Sequence, residues 1–403
     1  MVRLFTSGAE SSDITVEGVT KIGTGTATFD TGTVRSGLAA YKYDSTASNL
    51  QIDHRFTFTG ALDTTYYARE YIYLVSGGGI CLILLDSSNN GIALLSINSV
   101  DHTVDCQSQG GSIAISAALS LNTWYLLELE CKVVTGGGAA STVRARINGV
   151  QFASSTTTNA GSVAPTRLEF GINFTSATTV IYVDDVALND STGGSQNTYA
   201  GAGRVALLLP TSDNARAALW TAGLGGTTSL FDAVNNAPPI GVAAASETNL
   251  TQIKHAGGAA GTTDAYDANM TTYTAAGVAT GGTITLVQAV GADGEEVATG
   301  TKLLAYSVVS NPAIATSGNV SAGADAGIEG TYPSLWAVHR GTVSYAPTVT
   351  LGTAPVMRVV RPETAARLPD VAFMGMLVEY VPPVAVSDPI HPSRQLQSAV
   401  VRM

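Results

Sequence analysis

Along residues 124–133 apolar and polar positions alternate. Tyr125, Leu127, Leu129, Cys131 and Val133 fall on one side of the run, and Leu126, Glu128, Glu130 and Lys132 on the other. A period of two belongs to an antiparallel strand with one face in a core and one in water. "STVRARINGVQFAS" repeats the pattern, with Val143, Ala145 and Ile147 inward and Arg144 and Arg146 outward. Asn148-Gly149 then supplies a tight hairpin turn, and Val150 and Phe152 resume the strand. "GTATFDTG", "LAAYKYD", "LQIDHRFTFTG", "YIYLVS", "GICLILLDS", "GIALLSIN", "TRLEFGINF" and "VIYVDDVALN" are further strands, spaced by Gly, Ser, Asn and Asp turns. Short strands at this spacing, with no long amphipathic helix between them, predict an all-β sandwich.

After Asp190 the texture changes to "STGGSQNTYAGAGR", small, polar and glycine-rich, which reads as a linker. A second β-rich group follows, including "TITLVQAVGAD", "TKLLAYSVVSN" and "FMGMLVEYVPP". Within it "SDNARAALWTAG" reads as a short helix capped by Ser212 or Asp213. From Pro382 onward the chain carries four prolines and reads as an extended arm. The expected organisation is a first sandwich over 1–190, a linker over 191–204, a second β-rich domain over 205–381 and an arm over 382–403. A length of 403 residues suits two domains better than one core.

Charged residues make up only 13% of the chain, hydrophobic ones 45%, and the formal net charge is −11. That balance favours a folded, soluble chain and opposes nucleic acid as a partner, because neutralising phosphates needs clustered Lys and Arg. The first residues carry no apolar secretion signal, and no run is long enough to span a bilayer. Cys81, Cys106 and Cys131 make an odd count without a CxxC pair, and read as small core hydrophobes made in a reducing cytoplasm. A disulfide involving Cys81 or Cys106 is the alternative.

Candidate chemistry is sparse. The five histidines are scattered, and the glycine-rich tracts lack a phosphate-binding Lys, so no metal cluster, cofactor site or nucleotide loop is expected. Glu128 and Glu130 share one strand face roughly 6–7 Å apart, a spacing that two-carboxylate glycoside hydrolysis uses. A solvated face closed by Lys132 is the plainer reading. Tyr71 and Tyr73 share a face and could stack a glycan. Asp184 and Asp185 sit side by side in "TTVIYVDDVALND", where a regular strand sends neighbours to opposite faces. A calcium ion held with nearby loop oxygens is one role for them, and an acid hydrogen-bonded to loop amides at a strand bend is the other.

"LFTSGAESSD", "FDTGTVRSGLAAYKYD", "LNTWYLLELECKV", "VRARINGVQF" and "IYVDDVALND", in that order, resemble the concanavalin A-like (laminin-G-like) jelly rolls of tailed-bacteriophage structural proteins. The unit from "GRVALLLPTSDNARAALWTAG" to "FMGMLVEYVPP" looks like the second β-domain that accompanies such jelly rolls in minor tail proteins. The resemblance implies a non-enzymatic, homo-oligomeric virion protein, in the tail by preference, that contacts other virion proteins. Host-surface glycan binding by the first sandwich, at Tyr71, Tyr73, Glu128 and Glu130, is the associated expectation. A capsid-surface fibre or decoration protein is the nearest alternative, and a free lectin-like module or a glycoside hydrolase stands behind it.

Overall fold

The computed structural model describes residues 3–216 apart from 13, 46–49, 139, 175–177 and 193–196, and beyond them the stretches 220–222, 229–230, 253–255, 265–270, 278–279, 283–292, 304–308, 337–344, 349–350, 356–360 and 369–380. The chain opens with β1 (Arg3–Ser7), a single helical turn α1 (Ile14–Glu17), β2 (Thr20–Gly23), β3 (Thr26–Asp30), β4 (Ala40–Ser45) and β5 (Ile52–Thr57). β6 (Thr65–Ser76), β7 (Gly79–Leu85), β8 (Gly91–Ile97), β9 (Thr103–Ser108) and β10 (Gly111–Ala118) follow. β11 (Trp124–Lys132), β12 (Ser141–Ile147), β13 (Val150–Thr158), β14 (Arg167–Phe174) and β15 (Thr179–Asp190) complete the first unit.

These strands form two antiparallel sheets. The front sheet runs β13-β12-β11-β6-β15-β4-β3, with β1 beside β15, and the back sheet runs β10-β9-β8-β7-β14-β5-β2. β6 lies between β11 and β15, and β14 between β5 and β7, so strands remote in sequence are neighbours in space. That is a β-sandwich of jelly-roll type, as the period-two pattern predicts. Leu127, Leu129, Val143, Ala145, Ile72 and Val183 from the front sheet meet Leu82, Leu84, Leu95, Val104, Leu168 and Phe170 from the back in one core. Cys81, Cys106 and Cys131 are free and buried. The hairpin between β12 and β13 turns on Asn148 and Gly149, whose φ angles of 51° and 77° are the left-handed pair such a turn requires.

Some acids break the pattern. Glu70 lies in phase with Ala68 and Ile72, is fully buried, and burial pushes its carboxyl well above the usual range. On the back sheet Asp53 is also buried, and desolvation followed by its neighbour Glu169 raises it to about 9.

Past the first sandwich, β16 (Arg204–Leu208) pairs with Met376–Tyr380, and β17 (Pro210–Arg216) pairs with Ala265–Met270. The described strands beyond residue 203 assemble into a six-stranded and a four-stranded sheet with a two-stranded pair. The helix expected from "SDNARAALWTAG" is therefore corrected: Pro210–Arg216 and Trp220–Ala222 are strands. Local helix propensity is worth tenths of a kcal/mol per residue, and pairing with a remote strand overrides it. Asp213, the supposed cap, instead accepts hydrogen bonds from the Tyr266 hydroxyl at 2.8 Å and the Leu230 amide at 3.1 Å. The 382–403 arm lies outside the described residues. Among the described residues no helix is long and apolar enough to cross a membrane.

Candidate functional site

On the outer face of the front sheet, β11 and β12 lie in register with Glu128 opposite Arg146 and Glu130 opposite Arg144. β6 stands on the other side of β11, with Arg69 opposite Glu128 and Tyr67 opposite Glu130. Two acids, three arginines and a tyrosine thus converge because period two places every second residue of three adjacent strands on one face. A cleft of about 600 Å³ opens there, lined among others by Tyr67, Leu126, Glu128, Glu130, Arg146 and Tyr199.

Tyr199 comes from the stretch expected to be a linker. Its described residues 197–204 lie as a strap across this face. Thr198 accepts from the Asn189 amide at 2.7 Å, and the Tyr199 hydroxyl donates to Glu130 Oε2 at 2.8 Å. The Gly201 amide donates to Glu128 Oε1 at 3.2 Å, while the Gly201 carbonyl accepts from Arg69 at 3.0 Å. Arg146 lies 3.6 Å over the Tyr199 ring, and the Tyr67 ring packs tilted against Tyr199 with centroids 5.1 Å apart. Nothing in "GGSQNTYAGAG" reports this placement, because its contacts are with strands far back in the sequence. A lone Tyr among glycines was the available signal.

The two acids of the cleft differ in surroundings. Glu130 accepts from Arg144 at 2.7 Å as well as from Tyr199. Glu128 has a backbone amide as partner, with arginines close by, and desolvation at the cleft floor dominates, raising its pKa above the usual range. One carboxyl is thus biased toward its protonated form beside a second that is held by a guanidinium. Such a difference in environment is what assigns acid and base roles in two-carboxylate chemistry.

Asp184 and Asp185 are placed otherwise. The pairing of β15 with β6 shifts between Asp184 and Ala187, and Asp185 takes a φ of +49°, so a bulge turns two neighbours toward the same loop. Asp184 Oδ2 accepts the backbone amides of Arg35 at 3.0 Å and Ser36 at 3.2 Å. Asp185 is hydrogen-bonded by the Ser36 hydroxyl at 2.8 Å and by the Val205 amide at 2.6 Å, and forms an ion pair with Arg35. The Arg35 guanidinium also donates to the Gly203 carbonyl at 2.8 Å. These acids tie the 33–37 loop and the exit of the strap to the sheet. Glu10 faces the same loop, accepting from the Leu38 amide at 2.6 Å; burial, then the Asp184 charge, raise it to about 10. Among the described residues, no group of three or more His, Cys, Asp and Glu side chains is placed to hold a metal.

Of the two tyrosines expected to stack a glycan, Tyr71 is closed off. It is 4% exposed and lies under the Arg35 guanidinium, 3.2 Å from the ring centre. Tyr73 stays half-exposed, beside Trp124 and Tyr182. The sequence pattern put both rings on the right face, and could not see the loop that covers one of them.

No protein-family model matches the chain. No curated protein matches it either. Among solved structures, similarity is found to a cellulose-induced protein, with 16% identity, a TM-score of 0.36 and coverage of 49% of this chain and 99% of that one. An endo-β-1,4-glucuronan lyase from the fungus Trichoderma reesei shows 11% identity and a TM-score of 0.38, over 50% of this chain and all 100% of that one. A carbohydrate esterase from the Shiga toxin-encoding bacteriophage phi24B shows 15% identity and a TM-score of 0.37, over 47% of this chain and 99% of that one. The expectation that this chain is not an enzyme is corrected on this finding, because the lyase and the esterase, and alginate lyases besides, are enzymes. Periodicity marks Glu128 and Glu130 as outward-facing and is silent about the strap that turns their surface into a cleft.

Proposed function

We propose that the chain is a carbohydrate-active component of a bacteriophage virion, in the tail by preference, whose front-sheet cleft binds a host-surface glycan and hydrolyses it. One observation carries the chemistry: Glu128, its pKa raised by desolvation, stands two residues along a strand from Glu130, under a wall made by Tyr199. Glu128 gives its proton to the glycosidic oxygen as the bond to the anomeric carbon breaks. Water attacks that carbon, and Glu130, the second carboxylate, receives the proton that the water gives up. Tyr67 offers a ring face to the sugar, Tyr199 the edge of a ring that Arg146 covers, and Arg146 N–H donors to the sugar hydroxyls. The virion setting rests on the sequence resemblance to phage jelly rolls; a capsid-surface fibre or decoration protein is the alternative location. The second unit and the 382–403 arm would serve contacts with other virion proteins and with further copies of the chain.

The test is to screen the full chain against capsular, algal and plant polysaccharides for new reducing ends. Glu128→Gln should abolish their release from any polymer that the wild type cleaves, while binding persists. Equal release by wild type and variant would overturn the proposal.

For the acids at the bulge, the sequence expectation is calcium at Asp184 and Asp185; since Arg35 engages Asp185, the cation is proposed at Asp184 with Glu10 instead. Among the described residues Glu10 Oε1 is buried with no hydrogen-bond partner, and a cation there would offset the repulsion of two buried carboxyls. At pH 8, calcium should raise the melting temperature of the wild type and leave that of Glu10→Gln unmoved. An identical response in both would remove the cation from the account.

A further inference from the structure

Leu126 marks the end of the cleft along β11, and the next outward side chain on that strand is Trp124. Trp124 is the first member of a row that crosses the sheet. It stands opposite Tyr73 on β6; Tyr73 stands opposite Tyr182 on β15; Tyr182 stands opposite Lys42 on β4. The rings pack in sequence, Trp124 to Tyr73 at 5.4 Å and Tyr73 to Tyr182 at 5.9 Å edge-on, with the Lys42 ammonium 6.0 Å over Tyr182. All four side chains are half-exposed on the same face as the cleft. Core packing alone does not account for a continuous aromatic row on the outer side of a sheet, because an outward face has no second sheet to pack against.

We propose that Trp124, Tyr73 and Tyr182 form a saccharide subsite continuous with the cleft, so that the ligand is an extended polysaccharide engaged in mid-chain and not a single sugar. This inference rests on the reading of the cleft given above. Aromatic rings present flat apolar faces that suit the C–H faces of pyranoses, and the tyrosine hydroxyls, Lys42 and Asp44 stand beside them to meet sugar hydroxyls. Along β11, Trp124 and Glu128 are four residues apart, ~13 Å of strand. One sugar ring cannot touch both, whereas an oligosaccharide lying along the strand can. Leu126 keeps the floor continuous between them. Arg35, seated on Tyr71 opposite Leu126, borders this floor, so that the chain passes along β11 to Trp124 before it meets Tyr73 and Tyr182.

The experiment takes a polysaccharide retained by the full wild-type chain on an array, prepares its disaccharide and its long oligosaccharides, and measures binding of each. Trp124→Ala and Tyr73→Ala should weaken binding of the long oligosaccharides on the order of tenfold, corresponding to ~1.4 kcal/mol, and leave the disaccharide unchanged. Trp124→Phe, which keeps a ring and guards against a folding defect, should restore most of the loss at an unaltered melting temperature. Equal binding of long ligands by wild type and Trp124→Ala overturns the subsite. So does a parallel loss for the disaccharide, and so does a change of oligomeric state with binding intact, which would make the row a contact between copies. The cleft reading fails separately, when Glu128→Gln and Glu130→Ala cleave and bind the disaccharide as the wild type does. A wild-type chain that retains no polysaccharide overturns both.

Discussion

Two pairs of acids belong to the same sheet, and the sheet treats them in opposite ways. Glu128 and Glu130 sit two apart on a regular strand, face a cleft, and meet arginines, one amide and one tyrosine hydroxyl. Asp184 and Asp185 are adjacent, brought to one side only by a bulge, and are enclosed by Arg35, Ser36 and the amide of Val205. The first pair has a free volume beside it in which a ligand can stand. In the second pair Asp185 has its surroundings filled with donors from this chain. The proposed chemistry falls to the first pair because the strap leaves a cleft over it, and not to Asp185 because the strap ends on it.

The largest effect expected from breaking this contrast is on stability at the bulge. Arg35→Ala leaves Asp185 buried without its cation and uncovers Tyr71, and should cost roughly 3–5 kcal/mol, read as a fall in melting temperature. In the cleft the effect moves from stability to turnover. Glu128→Gln should reduce glycan cleavage on the order of 10²-fold or more, with a stability change within about 1 kcal/mol, since an amide can still accept from the Gly201 N–H.

A smaller, pH-dependent effect separates the pairs again. Glu10, raised from 4.5 to about 10 beside Asp184, binds its proton more tightly in the folded chain than in the unfolded one. Its contribution to stability is therefore full below about pH 4.5 and lost progressively as pH rises toward 10. Asp53 acts in the same direction up to about 9, whereas His54, lowered to about 4, costs stability as pH falls below 6.5. Calcium-free melting temperatures should accordingly decline from pH 6.5 to pH 9, and Glu10→Gln should flatten part of that decline. The smallest effect belongs to the exposed rim: Lys42→Ala, which loosens a 3.9 Å surface pair with Asp44, should change stability by less than about 0.5 kcal/mol.

Much of the first sandwich is legible in the sequence because burial of one strand face writes a period of two. The inward set of β11, the outward arginines of β12 and the Asn148-Gly149 turn all follow from it. The pattern also puts Glu128, Glu130 and Tyr73 on one face. What it cannot write is any contact that depends on a departure from regularity or on remote segments meeting. The bulge at Asp185 is one extra residue in one strand, visible only against its partner β6. Tyr71 is lost to Arg35, which comes from a loop before β4. The strap reads as a linker because its glycines and small polar residues carry no periodicity, yet its amides and Tyr199 are fixed by acids that precede it by about seventy positions. Lys and Arg on the outer face read as solvated, whereas Arg69 is fully buried, donating to the Asp185 and Gly201 carbonyls at 2.9 and 3.0 Å.

The central claim is that one acid pair acts on a ligand while the other holds the fold. It is tested most directly by measuring glycan cleavage per folded molecule, together with melting temperature, for Glu128→Gln and Asp185→Asn side by side. The account predicts that Glu128→Gln melts as the wild type does and cleaves nothing, whereas Asp185→Asn melts several degrees lower and retains wild-type cleavage in its folded fraction. Full cleavage by Glu128→Gln, or loss of cleavage by folded Asp185→Asn, would contradict it.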